Sequence, residues 1–179
     1  FIIGTVVVNR QIDFMQNKDL GFNPSRVIRI DATQKIRDAN FENVRNSLLQ
    51  VPGIEYVAKS TAVPGSSQID TNTMSMRMEG RLARLSSVKV GIDYFRTLDI
   101  GLLKGRFFDY KRSEDPKYSA VINQAAADRF QLSDPVGKKL YFPDCDSLPY
   151  TVVGVVNNFN VQGLESGILP AVYTIDNNS

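Results

Sequence analysis

The stretch Val88-Lys89-Val90-Gly91-Ile92-Asp93-Tyr94-Phe95-Arg96-Thr97-Leu98 decides how the chain is divided, because its pattern changes in the middle. Residues 88–92 alternate apolar with small or charged side chains, as a strand with one buried face does. Residues 93–98 instead predict one or two helical turns, and short elements with many turn residues follow them. We therefore place a boundary near Ile92 and Asp93.

Just before this stretch, Met74, Met76 and Met78 alternate with polar residues. The spacing predicts a strand with one apolar face, and methionines on such a face are typical of a core strand rather than of a metal site. Two neighbouring strands of this kind, at residues 74–78 and 88–92, indicate an antiparallel pair with one face in solvent.

Nearer the start of the chain, the pattern is typical of a β-α-β unit. Residues 26–30 alternate like a strand, residues 41–48 carry apolar side chains at helical spacing, and residues 54–62 are typical of a second strand. Asn40 is in position to cap the helix. A helix between two strands predicts that the strands are parallel.

Towards the end of the chain, strands are predicted at residues 119–122, 139–142, 150–156 and 171–175. Asn123 is expected to cap a short helix that follows the first of them. The segment 150–156 is the richest in β-branched residues, so we expect it to be a central strand.

The first residues, Phe1–Val8, form an uncharged apolar run. It is much shorter than the roughly 20 residues that a membrane-crossing helix needs. It is either a buried strand or the last turns of a transmembrane helix, and we prefer the second interpretation. Residues 11–20 would then continue the helix into water until Gly21, a residue type that often ends helices.

Composition argues against several classes of protein. Lys and Arg number 21 and Asp and Glu 19, and a net charge of +2 is too small for a protein that mainly neutralises phosphates. The chain contains no histidine, which excludes Ser-His-Asp catalysis and histidine-ligated zinc. Its single cysteine, Cys145, cannot form an internal disulfide or a four-thiolate metal site. These facts favour a protein that is not an enzyme.

Two glycine motifs are weak. Residues 136–139 contain a Gly-Lys pair, but Leu132 stands where a phosphate loop needs its first glycine and Lys139 where it needs Ser or Thr. Gly101 and Gly105 have the spacing of a membrane-helix contact, yet the segment between them includes a lysine. We expect tight turns at both glycines of the second motif.

Acidic pairs are the remaining candidates for catalysis. The pairs are Glu114 with Asp115 and Asp144 with Asp146, and both are predicted to lie in solvated loops. Cys145 has no nearby basic residue to activate it, so an inert thiol is expected. No catalytic, cofactor-binding or metal-ligating residue is assigned, and no cofactor is expected.

The order of these fragments resembles the MacB-like periplasmic core domain of permease subunits in MacB/FtsX-type ABC transporters. The resemblance is carried mainly by residues 93–98 and 103–108, Asp-Tyr-Phe-Arg-Thr-Leu and Leu-Lys-Gly-Arg-Phe-Phe. It extends to residues 18–22, 121–127, 134–138, 150–159 and 170–173. At residues 157–160 the chain has Asn-Asn-Phe-Asn, where many relatives have a charged residue and a histidine.

The resemblance implies an α+β fold with two lobes. A Porter-like lobe of β-α-β units is expected at residues 21–92 and 160–179, and a smaller inserted Sabre-like lobe at residues 93–159. Residues 1–20 would be the end of a transmembrane helix and its extension.

The resemblance also implies a function. The chain would be the non-catalytic periplasmic domain of an inner-membrane permease, transmitting ATP-driven conformational change for export or mechanotransmission. Its implied partners are the membrane, reached through flanking transmembrane helices, a cytoplasmic ATP-binding subunit that this domain does not contact, and a second permease copy. A periplasmic adaptor or substrate protein is a further candidate, and nucleic acid is not expected.

Two other classes of function stay open at this point. A periplasmic ligand-binding sensor domain would show a sizeable concave pocket with convergent polar groups. An enzyme with carboxylate chemistry would need two inward-facing carboxylates in one cleft.

Overall fold

The computed structural model describes residues 9–10, 20–31, 40–64, 72–142, 148–161 and 167–176. A short 3₁₀ helix, Pro24–Arg26, precedes the first α-helix. The elements that follow are α1 (Phe41–Leu49), β1 (Asn72–Met78), β2 (Arg81–Val90), α2 (Tyr94–Thr97), β3 (Leu102–Gly105), α3 (Asp115–Tyr118), β4 (Ser119–Asn123), α4 (Gln124–Arg129), β5 (Lys139–Tyr141), β6 (Tyr150–Val156) and β7 (Ala171–Ile175).

All of these strands belong to one seven-stranded sheet with the order β3-β6-β4-β7-β2-β1-β5. Strand β5 also pairs with β6, so the sheet closes on itself. β2 pairs with β7 and β4 with β6 in parallel, and the other pairs are antiparallel. An antiparallel pair is confirmed as β1 and β2, but β1 pairs with residues 81–87, and residues 88–90, the predicted partner, pair with β7 instead. Strand β6 is central as expected because it contacts three other strands.

Side chains that alternate along the strands form two apolar cores. On one face lies the aromatic core, which includes Tyr94, Phe95, Phe159 and Tyr173. On the other lies the methionine core, which comprises Met76, Met78, Ala83, Leu85, Ala120, Ile122, Ala126, Ala127, Phe130, Leu140, Val152, Val155 and Val172. Burying each large side chain contributes about 1.5–3 kcal/mol. The prediction that the methionines line a core is confirmed for Met76 and Met78, which are fully buried.

The predicted β-α-β unit is correct only in its helix. Helix α1 begins after Asn40, whose side chain accepts a hydrogen bond of 2.9 Å from the backbone N–H of Glu42. The two flanking strands are wrong. Residues 27–31 form no strand, and residues 54–62 contribute only one antiparallel bridge, between Ser60 and Val90.

The predicted strands do not form because alternation of apolar and polar residues describes only the side chains. It does not show that a neighbouring backbone is available to pair with the segment. Ile28 and Ile30 alternate as in a strand but are 85% and 61% exposed. After its bridge, Ser60 hydrogen bonds through its hydroxyl to both the N–H and the carbonyl of Ala62. This turn bends the chain before a ladder can extend.

The sheet runs across the boundary predicted at Ile92 and Asp93. The β4–β7 ladder pairs Val121 with Tyr173, and the β1–β5 ladder pairs Arg77 with Tyr141. Strands from residues 72–92 and from residues 93–159 therefore share one sheet. Within it, β6 pairs with β3, β4 and β5, which all come from residues 93–159. The division into a Porter-like and a Sabre-like lobe stays a prediction.

Several sequence-based predictions fall on other parts of the chain. Phe1–Val8, most of residues 11–20, and the Asp144-Cys145-Asp146 loop lie outside the described residues. Among the residues that are described, no helix combines the length and the apolar character needed to cross a membrane.

Candidate functional site

Asp93, which follows β2, is the centre of a polar cluster between the sheet and α1. Its carboxylate accepts hydrogen bonds from Arg45 at 3.1 Å, from Arg96 at 2.9 Å and from the Tyr110 hydroxyl at 3.1 Å. The Asp93 side chain is only 6% exposed. A nearly buried carboxylate is stable there because two guanidinium groups and a phenol replace the water that it loses.

Among the described residues, the Asp93 cluster and a second group of contacts hold α1 to the rest of the domain. Arg45 belongs to α1, and its guanidinium carbon lies 4.8 Å from the centre of the Tyr110 ring. In the second contact, Lys59 pairs with Asp176 at 3.1 Å and lies 5.4 Å from the centre of the Phe41 ring. Helix α1 contains no buried residue. Charged and cation–π contacts therefore contribute much of its attachment.

Tyr110 stays a hydrogen-bond donor at physiological pH. Burial of its hydroxyl end and the neighbouring charge of Asp93 raise the pKa of Tyr110 to about 12, although Arg45 acts in the opposite direction. About half of the residue is nevertheless exposed (48%). The neutral phenol can thus donate to Asp93 throughout the physiological range.

Asp115 forms a second carboxylate cluster at the start of α3. Arg106 binds both of its oxygens, at 2.6 and 2.7 Å, the Ser119 hydroxyl donates at 2.8 Å, and the backbone N–H of Asp109 donates at 2.9 Å. The residue has no exposed surface. The prediction that Asp115 lies in a solvated loop is therefore wrong, because the side chain turns inward to meet Arg106.

The Asp115 carboxylate remains ionised despite its burial. Burial by itself raises its pKa, but the hydrogen bonds from Arg106, Ser119 and the Asp109 backbone outweigh burial and hold the pKa below its usual value. These donors occupy the carboxylate oxygens on several sides. The group is thus built to join the Gly-Arg-Phe-Phe segment to α3 and β4 rather than to accept a proton from a substrate.

The aromatic core joins α2 to the last strand. Tyr173 of β7 meets Phe95 edge-on at 5.1 Å and stacks on Phe159 at 5.7 Å between ring centres. The Tyr94 hydroxyl donates to the carbonyl of Ala62 at 2.8 Å, and burial raises the pKa of Tyr94 well above its usual value. Aromatic pairs of this geometry add about 0.5–1.5 kcal/mol each beyond burial.

Asn123 does more than cap a helix. Its side-chain oxygen accepts from the backbone N–H of Ala126, which confirms the predicted cap, and also from Ala171, both at 3.0 Å. Its amide donates to the carbonyl of Leu169 at 2.8 Å. The residue therefore joins α4 to the start of β7, a role for which the local sequence contains no signal.

The Asn157–Asn160 segment has structural roles. Asn158 accepts from the backbone N–H of Ala125 at 2.9 Å, and the N–H of Asn160 donates to the carbonyl of Leu20 at 2.8 Å. Gly21 has a φ of 75°, and a Cβ there would lie 2.3 Å from the carbonyl oxygen of Asn158. The chain after residue 20 is thus packed directly against this segment.

Only the first glycine motif forms a turn in the structure. The N–H of Gly137 donates to the carbonyl of Val152 at 2.8 Å, so it is not available to bind a phosphate. The predicted turn at Gly105 is wrong, because Gly105 is the last residue of β3; its φ is 73°, and a Cβ there would meet the carbonyl of Val153 on the paired strand. Within the described ranges, no group of three or more acidic or cysteine side chains could hold a metal ion.

A family model described as the MacB-like periplasmic core domain matches residues 2–175. The chain belongs to this family. The resemblance found in the sequence is therefore confirmed. This MacB-like domain is thus a periplasmic domain of a MacB-like ABC transporter permease.

The chain is similar to several solved domains. A domain of a putative permease from Porphyromonas gingivalis has a TM-score of 0.52 and 18% identity, over 74% of this chain and 55% of that one. The periplasmic region of MacB from Actinobacillus actinomycetemcomitans has a TM-score of 0.49 and 14% identity, over 76% of this chain and 65% of that one. The extracellular domain of the noncanonic ABC-type transporter YknZ from Gram-positive bacteria has a TM-score of 0.48 and 18% identity, over 73% of this chain and 59% of that one.

The chain spans about 55–65% of the length of these solved structures. No curated protein sequence matches it. The expected mixed fold of helices and a sheet is confirmed by the Porphyromonas gingivalis permease domain, whereas the finer division into lobes is not tested.

Proposed function

We propose that this MacB-like domain transmits ATP-driven movement of the permease's membrane helices into the periplasm, where it serves export or mechanotransmission. The observation that carries the proposal is how the two chain segments nearest the expected membrane helices are attached. The carbonyl of Leu20 accepts a hydrogen bond from the N–H of Asn160, which follows Phe159. The N–H of Asp176 donates to the carbonyl of Val90 at 3.0 Å. Phe159 and β7 meet in the aromatic core, through the stacked Tyr173.

Movement applied at either segment would therefore reach the same part of the sheet. We also propose that Asp19 and Asp176 lie at one pole of the domain; Asp176 is among the described residues, whereas Asp19 is not. Its neighbour Leu20 supports that prediction through the contact with Asn160. We infer that both membrane connections act on one rigid core.

The closed sheet supports movement of the domain as a unit. Ladders run without a break from β6 through β4, β7, β2 and β1 to β5, and β5 pairs with β6 to close this ring of six strands, with β3 outside it. The Arg106–Asp115 pair adds a charged link between the β3 end and α3. A domain connected in this way changes position by rigid-body rotation at lower cost than by internal rearrangement.

The proposed partners follow from this role. ATP would be hydrolysed by a cytoplasmic subunit or domain that this domain does not contact, and a second permease copy would supply the opposing periplasmic domain. The membrane would be reached through flanking transmembrane helices. A periplasmic adaptor or substrate protein would receive the movement.

The test uses the full-length permease with its ATPase in lipid nanodiscs. A spin label at Lys111→Cys, an exposed position, with Cys145→Ser so that the native thiol is not labelled, reports the distance between the two copies by double electron–electron resonance. We expect ATP with vanadate to shift the distance distribution, and ADP to leave it as in the nucleotide-free state. An unchanged distribution while ATP is hydrolysed would contradict the proposal.

A further inference from the structure

The outward face of β1, β2 and β5 carries a compact group of exposed side chains, here called the basic face: Arg77, Leu82, Arg84, Lys139 and Tyr141. Their positions follow from the register. Arg77 on β1 lies directly opposite Leu82 on β2 and Tyr141 on β5. The residues between them, such as Met78 and Leu140, point into the methionine core.

The positive charges on the basic face have no acidic partner among the described residues. Arg84 lies opposite Ser75 and is thus the diagonal neighbour of Arg77, at roughly 7–8 Å for such positions. Neither guanidinium makes a hydrogen bond or ion pair within the described ranges. Lys139 donates to the hydroxyl of Thr151 at 2.7 Å, which leaves its charge uncompensated.

This arrangement contrasts with that of two other arginines near the sheet. Arg45 binds Asp93, and Arg106 binds both oxygens of Asp115. Like charges on neighbouring strands repel each other, and an external anion that binds between them removes this repulsion. The chemistry of the basic face therefore selects a negatively charged partner.

Apolar surface adjoins the charges. Leu82 is 62% exposed and Tyr141 47% exposed, and they flank Arg77 on its two sides. Arginine and tyrosine are enriched where proteins bind proteins, and they account for much of the affinity there. Strand β1 is hydrogen bonded on both sides, so the face is held rigid before a partner arrives.

We infer that the basic face is a docking surface for an acidic face of a partner protein. Lipid recognition by charge uses clusters of about 4–8 Lys or Arg with little apolar surface between them, whereas this face combines three cations with a leucine and a tyrosine. The inference goes beyond the proposed transmission of movement, because it requires only that the domain meets another protein.

The size of the face indicates a transient contact. Strands lie about 4.8 Å apart and rise about 3.3 Å per residue, so three strands present a face of roughly 10 by 17 Å. A stable interface buries about 800 Å² on each partner. The basic face is thus the centre of a contact that forms and separates, and its charges make association depend on salt.

The test measures binding of fluorescent poly-L-glutamate to the full-length permease in nanodiscs of zwitterionic phosphatidylcholine. We expect salt-sensitive binding that Arg77→Glu with Arg84→Glu weakens at least about tenfold. The matched control is Lys111→Glu with Arg112→Glu, which changes the net charge equally at exposed positions elsewhere. The control should change affinity by less than about twofold.

Two further variants keep the result interpretable if the glutamate variant fails to fold. Arg77→Gln with Arg84→Gln removes the charges without reversing them and should weaken binding about threefold or more. Tyr141→Ser should weaken the binding that persists at high salt, because salt screens the charges and leaves the contribution of apolar contacts such as the tyrosine ring.

Three results would overturn the inference. One is equal loss of binding in the control, which would show that only net charge matters. Another is unchanged poly-L-glutamate binding in both arginine variants. The third is that the arginine variants lose binding to phosphatidylglycerol vesicles but bind poly-L-glutamate as the wild type does, which would assign the face to lipid headgroups. Because none of these readouts involves ATP, they are separate from the test of transmitted movement.

Discussion

The guanidinium of Arg106 binds the fully buried carboxylate of Asp115 through two hydrogen bonds, of 2.6 and 2.7 Å. The pair joins the end of β3 to α3, and Ser119 at the start of β4 completes it. Arg106 belongs to the Gly-Arg-Phe-Phe segment that helps to identify the family, whereas Asp115 lies outside the identifying fragments. The role of the pair is to connect elements that the chain brings together from different directions.

Removing the Asp115 charge should destabilise the domain. We expect Asp115→Asn to lower the free energy of unfolding by about 3 kcal/mol, because it leaves Arg106 partly buried without its counter-ion. Urea unfolding of the purified domain measures the change. The control Glu114→Gln, at the exposed neighbouring carboxylate, should alter stability by less than about 0.5 kcal/mol. A loss below about 1 kcal/mol for Asp115→Asn would contradict the prediction.

The same pair predicts a specific dependence on pH. Since the pKa of Asp115 is lowered in the folded state, the unfolded state binds the proton more readily. The stabilisation is complete above the unfolded pKa, about 3.9, and is lost as the pH falls through the lower folded pKa. The difference in melting temperature between the wild type and Asp115→Asn should therefore be constant from neutral pH to about pH 5 and shrink below about pH 4. If the difference in melting temperature stayed constant below about pH 4, the lowered pKa of Asp115 would not be its cause.

Gly21 offers a direct test of how the chain after residue 20 is packed. Gly21→Ala should lower stability by about 2 kcal/mol or more, because its φ is 75° and the new Cβ would lie 2.3 Å from the Asn158 carbonyl. Gly80→Ala is the matched control, since its φ is 76° and nothing lies within 4 Å of the new Cβ. The control should cost about 1 kcal/mol from backbone strain alone. Equal melting temperatures of the two variants would show that Gly21 is not packed as described.

Helix α1 should separate from the sheet more easily when Arg45 loses its charge. We expect Arg45→Gln to increase amide hydrogen exchange in α1 at least about tenfold, because its bond to Asp93 is lost. Exchange in β4 and β6 should not change, since these strands are central to the sheet. Asn46→Gln, an exposed position one residue further along α1, is the control. Exchange that rises equally in the sheet would indicate global destabilisation instead.

The isolated domain should not bind ATP. The turn at Gly137 lacks the first glycine and the hydroxyl residue of a phosphate loop, and its N–H already bonds to Val152. Isothermal titration calorimetry with ATP and Mg²⁺ should show no stoichiometric heat. Binding at one site per chain would contradict the assignment of ATP hydrolysis to another subunit or domain.

Local patterns were sufficient to predict many elements. The alternation of Met74, Met76 and Met78 predicts β1 and its buried face, and the β-branched run at residues 150–156 predicts a central strand. The caps at Asn40 and Asn123 are correct, because a cap depends on a side chain and a backbone N–H only two or three residues away. The family was also recognisable from the order of short fragments along the chain.

The sequence by itself therefore determined the family, most strands and two helix caps, since each of these depends on residues close together in the chain. Only the tertiary structure decided that Ile28 and Ile30 have no neighbouring strand, that β5 closes the sheet on β6, and that Asp115 is buried against Arg106. Strand pairing and ion pairing join groups that are distant in sequence. Their formation depends on which backbone and which charge the fold brings within a few ångströms, and periodicity carries no information about that.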